Sequence, residues 1–241
     1  MNLVQYDYYS DVGGRKENED SAAVWGKMLS GKCGFVVADG LGGHGGGKIA
    51  SSTVVADIRN NWNGKAEAAE WKRLVQIAHE NVKKQQTEAC KMKSTLAGLL
   101  ISGNQMVFAH VGDSRVYHFY GKKLVFQTRD HSASQLAVML GEIEPEEIRF
   151  HEARSQILKA VGQAGALVPE CREETLQKGK HEFLLCSDGF WEYVTETEME
   201  QTLTDSASPG QWLEKMKAIA AGRMQPGNDN HTAIAVFLKN I

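Results

Sequence analysis

The 241-residue chain is poor in the residues that staple, break or anchor a fold. Its four cysteines, Cys33, Cys90, Cys171 and Cys186, lie far apart and include no Cys-x-x-Cys pair. That excludes a disulfide scaffold, leaves no His/Cys set with zinc-ligand spacing, and reads as buried thiols in a reducing compartment. Only four prolines punctuate it, with no linker, low-complexity segment or repeat. One domain spanning residues 1–241 is therefore expected. No apolar run approaches the roughly 18–20 residues needed to cross a bilayer. Met1 to Ser10 lack a basic stretch followed by an apolar one. The expectation is a cytoplasmic protein with no membrane partner. A basic excess is also missing: Lys plus Arg is 27 against 30 for Asp plus Glu, and the longest basic run is a pair, as at Lys83-Lys84. That argues against a nucleic-acid partner. What remains is 42% hydrophobic and 24% charged, an ordinary globular composition with enough chain for a large core.

Glycine is the plentiful breaker, and it concentrates between Gly40 and Gly47. Gly34 to Ala38 is a short apolar run. Thr95 to Ser102 and Gln105 to Val111 flank Gly103-Asn104, the pattern of a two-residue hairpin. Arg115 to Phe119 and Lys123 to Gln127 flank a turn at Tyr120-Gly121-Lys122, and Phe183 to Cys186 and Thr232 to Leu238 read as later strands. Ile49 to Trp62 places Val54, Val55, Ile58 and Trp62 on one helical face. Trp71, Leu74, Val75, Ala78 and Val82 give a second amphipathic helix, continuing to Cys90 with a solvated polar face. Thr195-x-x-Glu198 forms a capping box, and Ser208-Pro209 starts another helix. Consecutive hairpins with grouped helices indicate α+β with mainly antiparallel sheet.

Four strands carry an aspartate at one end beside Gly or Asn: Asp39-Gly40, Gly112-Asp113, Asp188-Gly189 and Asp229-Asn230. Asp-Gly is a common turn dipeptide, so four unrelated turns stay open as a reading. If the carboxylates converge, like charges at close range require cations, and an all-oxygen set suits Mg²⁺ or Mn²⁺. Two such ions roughly 3.5–4 Å apart would form a site for hydrolysing a phosphate ester. Gly13-Gly14-Arg15-Lys16-Glu17-Asn18-Glu19-Asp20 adds an arginine able to grip a phosphate, or only a solvated acidic loop. The glycine stretch lacks the Gly-Lys-Ser/Thr ending of a phosphate loop and reads as a turn packed close to a metal-bound residue.

In order, these segments resemble the metal-dependent protein phosphatase family of the 2C type, in its compact bacterial branch. The resemblance rests on Arg15-x-x-Asn18-Glu19-Asp20, Val37 to His44, Ala50-Ser51, Ser94-Thr95, Val111 to Tyr117, Thr128-x-Asp130-His131-Ser132, Leu140-Gly141, Ile157 to Gly162, Leu185 to Trp191 and Asp229-Asn230-x-Thr232. It covers residues 10–238. It implies a β-sandwich of two mainly antiparallel sheets flanked by helices on both outer faces, a four-layer αββα arrangement. It implies a catalytic domain with a flap at about 132–158. Asp39 matches the carboxylate bridging two metals, Gly40 a carbonyl ligand, and Asp188 and Asp229 further ligands. Glu19 and Asp20 match residues acting through metal-bound water. Asp113 matches a ligand of a third ion shared with Asp188, with Ser155 near it, and Arg15 matches the phosphate-binding residue.

The implied activity is hydrolysis of phosphoserine and phosphothreonine in proteins by in-line attack of a metal-bridging water. The implied cofactors are two Mn²⁺ or Mg²⁺ ions with a third in addition. The implied partners are phosphoproteins and a cognate Ser/Thr kinase, and the implied state is a monomer in bacterial signalling. Three departures stand out. Leu41 replaces the histidine proposed as general acid in eukaryotic members, Lys48 stands where many bacterial members have Glu, and Ser94 stands where Gly is common. None removes a ligand. His44 is read as structural. Retention of all four aspartates disfavours a silent binding module, and the acidic balance disfavours a nuclease. A phosphatase dedicated to one phosphoserine regulator would differ only in substrate, and Arg15 leans towards the generic branch.

Overall fold

The computed structural model describes residues 2–42 and 46–240. Five strands, β1 (Asn2–Asp11), β2 (Ser21–Lys27), β3 (Lys32–Ala38), β4 (Gly40–Leu41) and, after two helices, β5 (Lys93–Ser94), occupy the first part. The helices are α1 (Gly46–Asn61) and α2 (Ala68–Gln85). A run of hairpins follows: β6 (Leu96–Ser102), β7 (Gln105–Val111), β8 (Arg115–Tyr120) and β9 (Lys123–Gln127). Then come α3 (Ala133–Leu140), β10 (Glu170–Thr175), β11 (Gly179–Cys186), α4 (Asp188–Trp191), α5 (Glu196–Thr204), α6 (Pro209–Ala221) and β12 (His231–Asn240).

The described strands form two five-stranded antiparallel sheets, ordered β1-β12-β11-β8-β9 and β10-β7-β6-β3-β2, plus the two-residue pair β4-β5. Period-two alternation sets the layers. Phe35, Val37, Leu99, Phe108, Val116, Phe183, Leu185, Ile234 and Val236 meet between the sheets. The intervening residues face outward and are buried again. Val36, Ala38, Leu100, Val107 and Ala109 pack under α1 and α2, against Val54, Ile58, Trp71 and Leu74. Tyr117, Phe119, Leu184, Cys186, Ala233 and Ala235 pack under α4 to α6, against Trp191, Met199, Trp212 and Met216. Strands buried on both faces read as continuous apolar runs, and the result is the expected helix–sheet–sheet–helix stack.

The local signals mostly hold. Gly103 sits at φ +63° in the β6-β7 hairpin, and Gly121 and Lys122 both have positive φ in the next one. Thr195 and Glu198 close a capping box on α5, and Ser208 caps α6 with Pro209 at its first position. The second helix stops at Gln85 rather than Cys90. Gln86 turns extended and its Nε2 donates to the carbonyls of Met92 and Gly162, so tertiary bonds take the chain off the helical path. Nor is that helix's polar side only solvated: His79 is buried, accepting from Gly162 N at Nδ1 and bonding Gly165 O at Nε2. Of the four free thiols, Cys33 and Cys186 are buried, whereas Cys90 and Cys171 are half-buried. Among the described residues, no helix is long and apolar enough to cross a membrane.

Candidate metal centre

The sheet registers bring the aspartate-bearing strand ends to one end of the sandwich. Ser21 pairs with Ala38, Leu96 with Val111, and Cys186 with both Ala233 and Arg115. Asp20 precedes β2, Asp39 follows β3, Asp113 follows β7, Asp188 opens α4 and Asp229 precedes β12. Both sheets thus contribute. Asp39 is flanked closely enough by Asp188, Asp20, Asp113 and Asp229 that each raises its pKa.

Backbone and hydroxyl bonds hold these groups. Asp39 N donates to Thr95 Oγ1 at 2.8 Å, and Asp39 O accepts from Thr95 N at 2.8 Å and from Ser94 Oγ at 3.0 Å. The serine that departs from the family's common glycine therefore anchors the central aspartate. Ser187 Oγ donates to Asp20 Oδ2 at 2.7 Å and accepts from Thr232 N at 3.0 Å. Trp191 Nε1 donates to Asp113 O at 2.9 Å. Asn230 ties the N-terminal loop to β12: its Oδ1 accepts from Glu19 N, and its Nδ2 donates to Val12 O and Glu17 O. Sequence reading placed Ser187, Thr95 and Asn230 inside motifs without a role. Their signal was adjacency to an aspartate, which does not reveal a partner far away in the chain.

The glycine-rich stretch acts by close approach. A Cβ on Gly40 would lie 2.1 Å from Gly47 O, and one on Gly47 would lie 2.5 Å from Glu19 Oε1. Gly47 and Lys48 donate their backbone N–H groups to the Glu19 carboxylate, so the start of α1 holds that acid. The described ends of the stretch, Gly40 and Gly47, thus pack against each other and against Glu19. His44 lies outside the described residues.

Burial dominates the electrostatics. Desolvation, then the charges of Asp188 and the other aspartates, pushes Asp39 well above the usual carboxylate range. Asp188 is likewise pushed well up by burial, Asp113 and Glu192. Burial takes Asp113 to about 7, with Asp130 adding to it, and takes Asp20 to about 6 against the opposing hydroxyl bonds. Burial and Glu17 raise Glu19. Asp20 Oδ1 and Asp113 Oδ1 are buried with no hydrogen-bond partner. These two unpartnered oxygens, with the carboxylates of Asp39, Asp188 and Asp229 converging from both sheets, make an all-oxygen set that fits hard divalent ions.

The remaining expected residues lie around this cluster. Arg15 donates from Nη2 to Asp229 Oδ2 at 2.7 Å, and its side chain is 55% exposed at the mouth. Gly14 N bonds Asn228 O, which fixes the Arg15 loop on the loop before β12. Ser155 is exposed and makes no hydrogen bond to these aspartates among the described residues. Its neighbour Arg154 instead donates to Glu192 Oε1 at 2.8 Å, and Glu192 raises the pKa values of Asp188 and Asp113. Leu41 is half-buried in β4. Lys48 Nζ donates to Asp20 O at 2.5 Å and Ser21 Oγ at 3.2 Å.

The fold also assembles a group absent from chain-order spacing: His110, His131 and Glu170 place potential ligand atoms within 4.8 Å of one another. Its hydrogen bonds argue against a metal. Gly112 N donates to His131 Nδ1 at 3.1 Å, so Nε2 carries the proton and faces Glu170 Oε2 at 3.7 Å. His110 donates from Nε2 to Arg129 O at 2.7 Å, and the two rings stack. The group buttresses the turn leading to Asp113.

The model of the protein phosphatase 2C family matches residues 12–221. Protein phosphatase PhpP of Streptococcus pneumoniae is 30% identical over 209 residues, covering 83% of this chain and 85% of that protein. The structure of the Mycobacterium tuberculosis serine/threonine phosphatase PstP/Ppp superposes with a TM-score of 0.84 at 27% identity, covering 99% of this chain and 100% of the other. The catalytic domain of the phosphatase PstP, solved with two manganese ions, superposes at 0.83 and 24% identity over the whole of both chains. With the fold, the clustered aspartates and most of the sequence in agreement, this chain belongs to the protein phosphatase 2C family.

Proposed function

We propose that the protein is a metal-dependent phosphatase that hydrolyses phosphoserine and phosphothreonine in other proteins. The observation that carries this is the convergence of Asp39, Asp113, Asp188 and Asp229, Asp113 buried and the other three half-buried, with the exposed guanidinium of Arg15 at the mouth. Asp39, Gly40 O, Asp188 and Asp229 would hold two Mn²⁺ or Mg²⁺ ions, and Asp113 with Asp188 a third. Glu19 and Asp20 would act through water. A fold neighbour carrying two manganese ions supports the count. Bound there, such ions would supply positive charge to the phosphoryl group and lower the pKa of water for in-line attack.

The chain's own groups do the rest. Arg15 can release Asp229 and present its fork to two phosphoryl oxygens, which orients the ester over the aspartates. Ser187 holds the Asp20 carboxylate, and Thr95 and Asn230 hold the backbone at Asp39 and Glu19, so little reorganisation accompanies reaction. Leu41 offers no proton, so the leaving oxygen takes one from a group other than the residue two places after Asp39. We place a flap at 132–158, which holds α3 and a six-residue 3₁₀ helix at Pro145–Phe150. It exposes Leu136, Met139, Leu140 and Phe150, apolar surface of the kind that meets protein substrates. The wider reading is one catalytic domain over 1–241, monomeric and cytoplasmic, opposing a Ser/Thr kinase in bacterial signalling.

The test is p-nitrophenyl phosphate hydrolysis with EDTA, Mg²⁺ or Mn²⁺, beside Asp39→Asn. Metal-dependent turnover lost in the variant is the expected result. A folded protein inert with every metal would refute the proposal.

A further inference from the structure

A cavity of about 430 Å³ runs from the acidic cluster along α1, between that helix and the free edges of β1 and β2. Asp20 stands at its inner end, and Lys48, Ser52 and Arg59 line its helical wall at the i, i+4, i+11 spacing of one face. Ser10 and Ser21 add hydroxyls from the strands. This wall departs from the rest of the site, which is strongly acidic. Lys48 is half-buried, bonds only a carbonyl and a hydroxyl, and has no carboxylate within ion-pair distance among the described residues. Arg59 is exposed and has no hydrogen-bond or ion-pair partner among them. Asp57 Oδ2 accepts from Asn81 instead, and Asp20, the acid whose charge Lys48 does feel, lies buried and makes no ion pair with it.

We propose that this groove is a specificity subsite that binds acidic residues flanking the phosphorylated residue of the substrate. The idea rests on the phosphatase reading and narrows its substrate class. Lys48 and Arg59 are eleven residues apart, roughly 16 Å along a helix at 1.5 Å per residue. An extended peptide covers that distance in about five residues at 3.3 Å each. A phosphoresidue at the aspartates would therefore place a carboxylate from a near flanking position against Lys48 and one about five residues further along against Arg59. The unpaired edges of β1 and β2 leave backbone groups to meet an extended chain. The charges complement each other: the two cations of this wall face the carboxylates that an acidic peptide brings.

The experiment uses the full-length protein with Mn²⁺ and two phosphothreonine peptides that differ only in having Glu or Gln at the flanking positions on both sides. Wild type is expected to show a KM roughly three- to tenfold lower for the Glu peptide with similar kcat, a gap that shrinks with added salt. Arg59→Glu is expected to abolish or reverse that preference while leaving p-nitrophenyl phosphate turnover unchanged. Equal KM values in wild type, or a preference that survives Arg59→Glu, would overturn the subsite alone. Absence of p-nitrophenyl phosphate turnover in wild type would overturn the phosphatase reading and the subsite with it.

Discussion

Arg115 shows how one residue away from the metal centre supports it. Its Nε and Nη2 fork Asp130 at 2.8 and 2.7 Å, all buried, and its guanidinium lies 3.5 Å from the centroid of the Trp191 ring. Trp191 in turn donates to the Asp113 carbonyl. Arginine is required because its planar fork makes two parallel bonds and stacks at once, which an ammonium cannot do. Arg115→Ala would strand Asp130 as a buried charge. We expect a loss of about 3–5 kcal/mol, read by denaturant unfolding. Arg115→Lys should recover only part of it. If Trp191 conveys the arginine's position to Asp113, the lysine variant should also weaken metal activation of turnover more than it changes the KM for substrate.

At the scale of elements, the sequence showed most of what builds the site. The apolar runs ending in Asp39, Asp113 and Asp188 were readable because strands buried on both faces need no alternation. The caps of α5 and α6 were readable because capping is local. β1 was not: its mix of Tyr, Asp and Ser has one covered face, and its pairing with β12 joins the two ends of the chain. β10 is similarly polar, and its partner β7 is sixty residues away in the chain. Cations such as Lys48 and Arg59 gave no sign of sharing a groove, because only the packing of α1 on β2 brings that wall to the acidic cluster. Gly47 tests how tightly that helix start is seated. Its contacts are with Glu19 and the Gly40 backbone, so a methyl group cannot be absorbed by moving a flexible tip. Gly47→Ala should raise the Mn²⁺ concentration needed for half-maximal activity at least severalfold and lower Tm. Gly103→Ala, with nothing within 4 Å of the added carbon but φ +63°, should cost only about 1 kcal/mol and leave metal dependence unchanged.

Across the whole molecule, metal and pH must be linked, because the two sheets meet at a cluster that is costly to ionise. Asp20, at about 6, and Asp113, at about 7, have folded pKa values above their unfolded ones. Such groups stabilise the fold below roughly pH 4, and that contribution is lost as pH rises through 6 to 7. His118 and His131 have the opposite sign. Burial is the main cause lowering both to about 3, so the unfolded chain binds protons more readily below about 6.5, and stability falls as pH drops from there. Above about pH 7 His118 and His131 are largely neutral in both states, so up to pH 8 the raised carboxylates set most of the trend. In EDTA the melting temperature should therefore decline across that window, by roughly 2–4 °C for each kcal/mol. Saturating Mn²⁺ binds the ionised carboxylates and should remove this alkaline decline while leaving the acid limb. Asp39→Asn removes one of the crowded charges. It should raise the melting temperature in EDTA at pH 8 above that of wild type and abolish the further gain on adding Mn²⁺. Thermal unfolding of both proteins at pH 6.5 and 8, with and without metal, separates these effects. A variant that melts lower than wild type in EDTA would show that the Asp39 charge does not strain the fold, since Asn keeps the backbone bonds to Ser94 and Thr95.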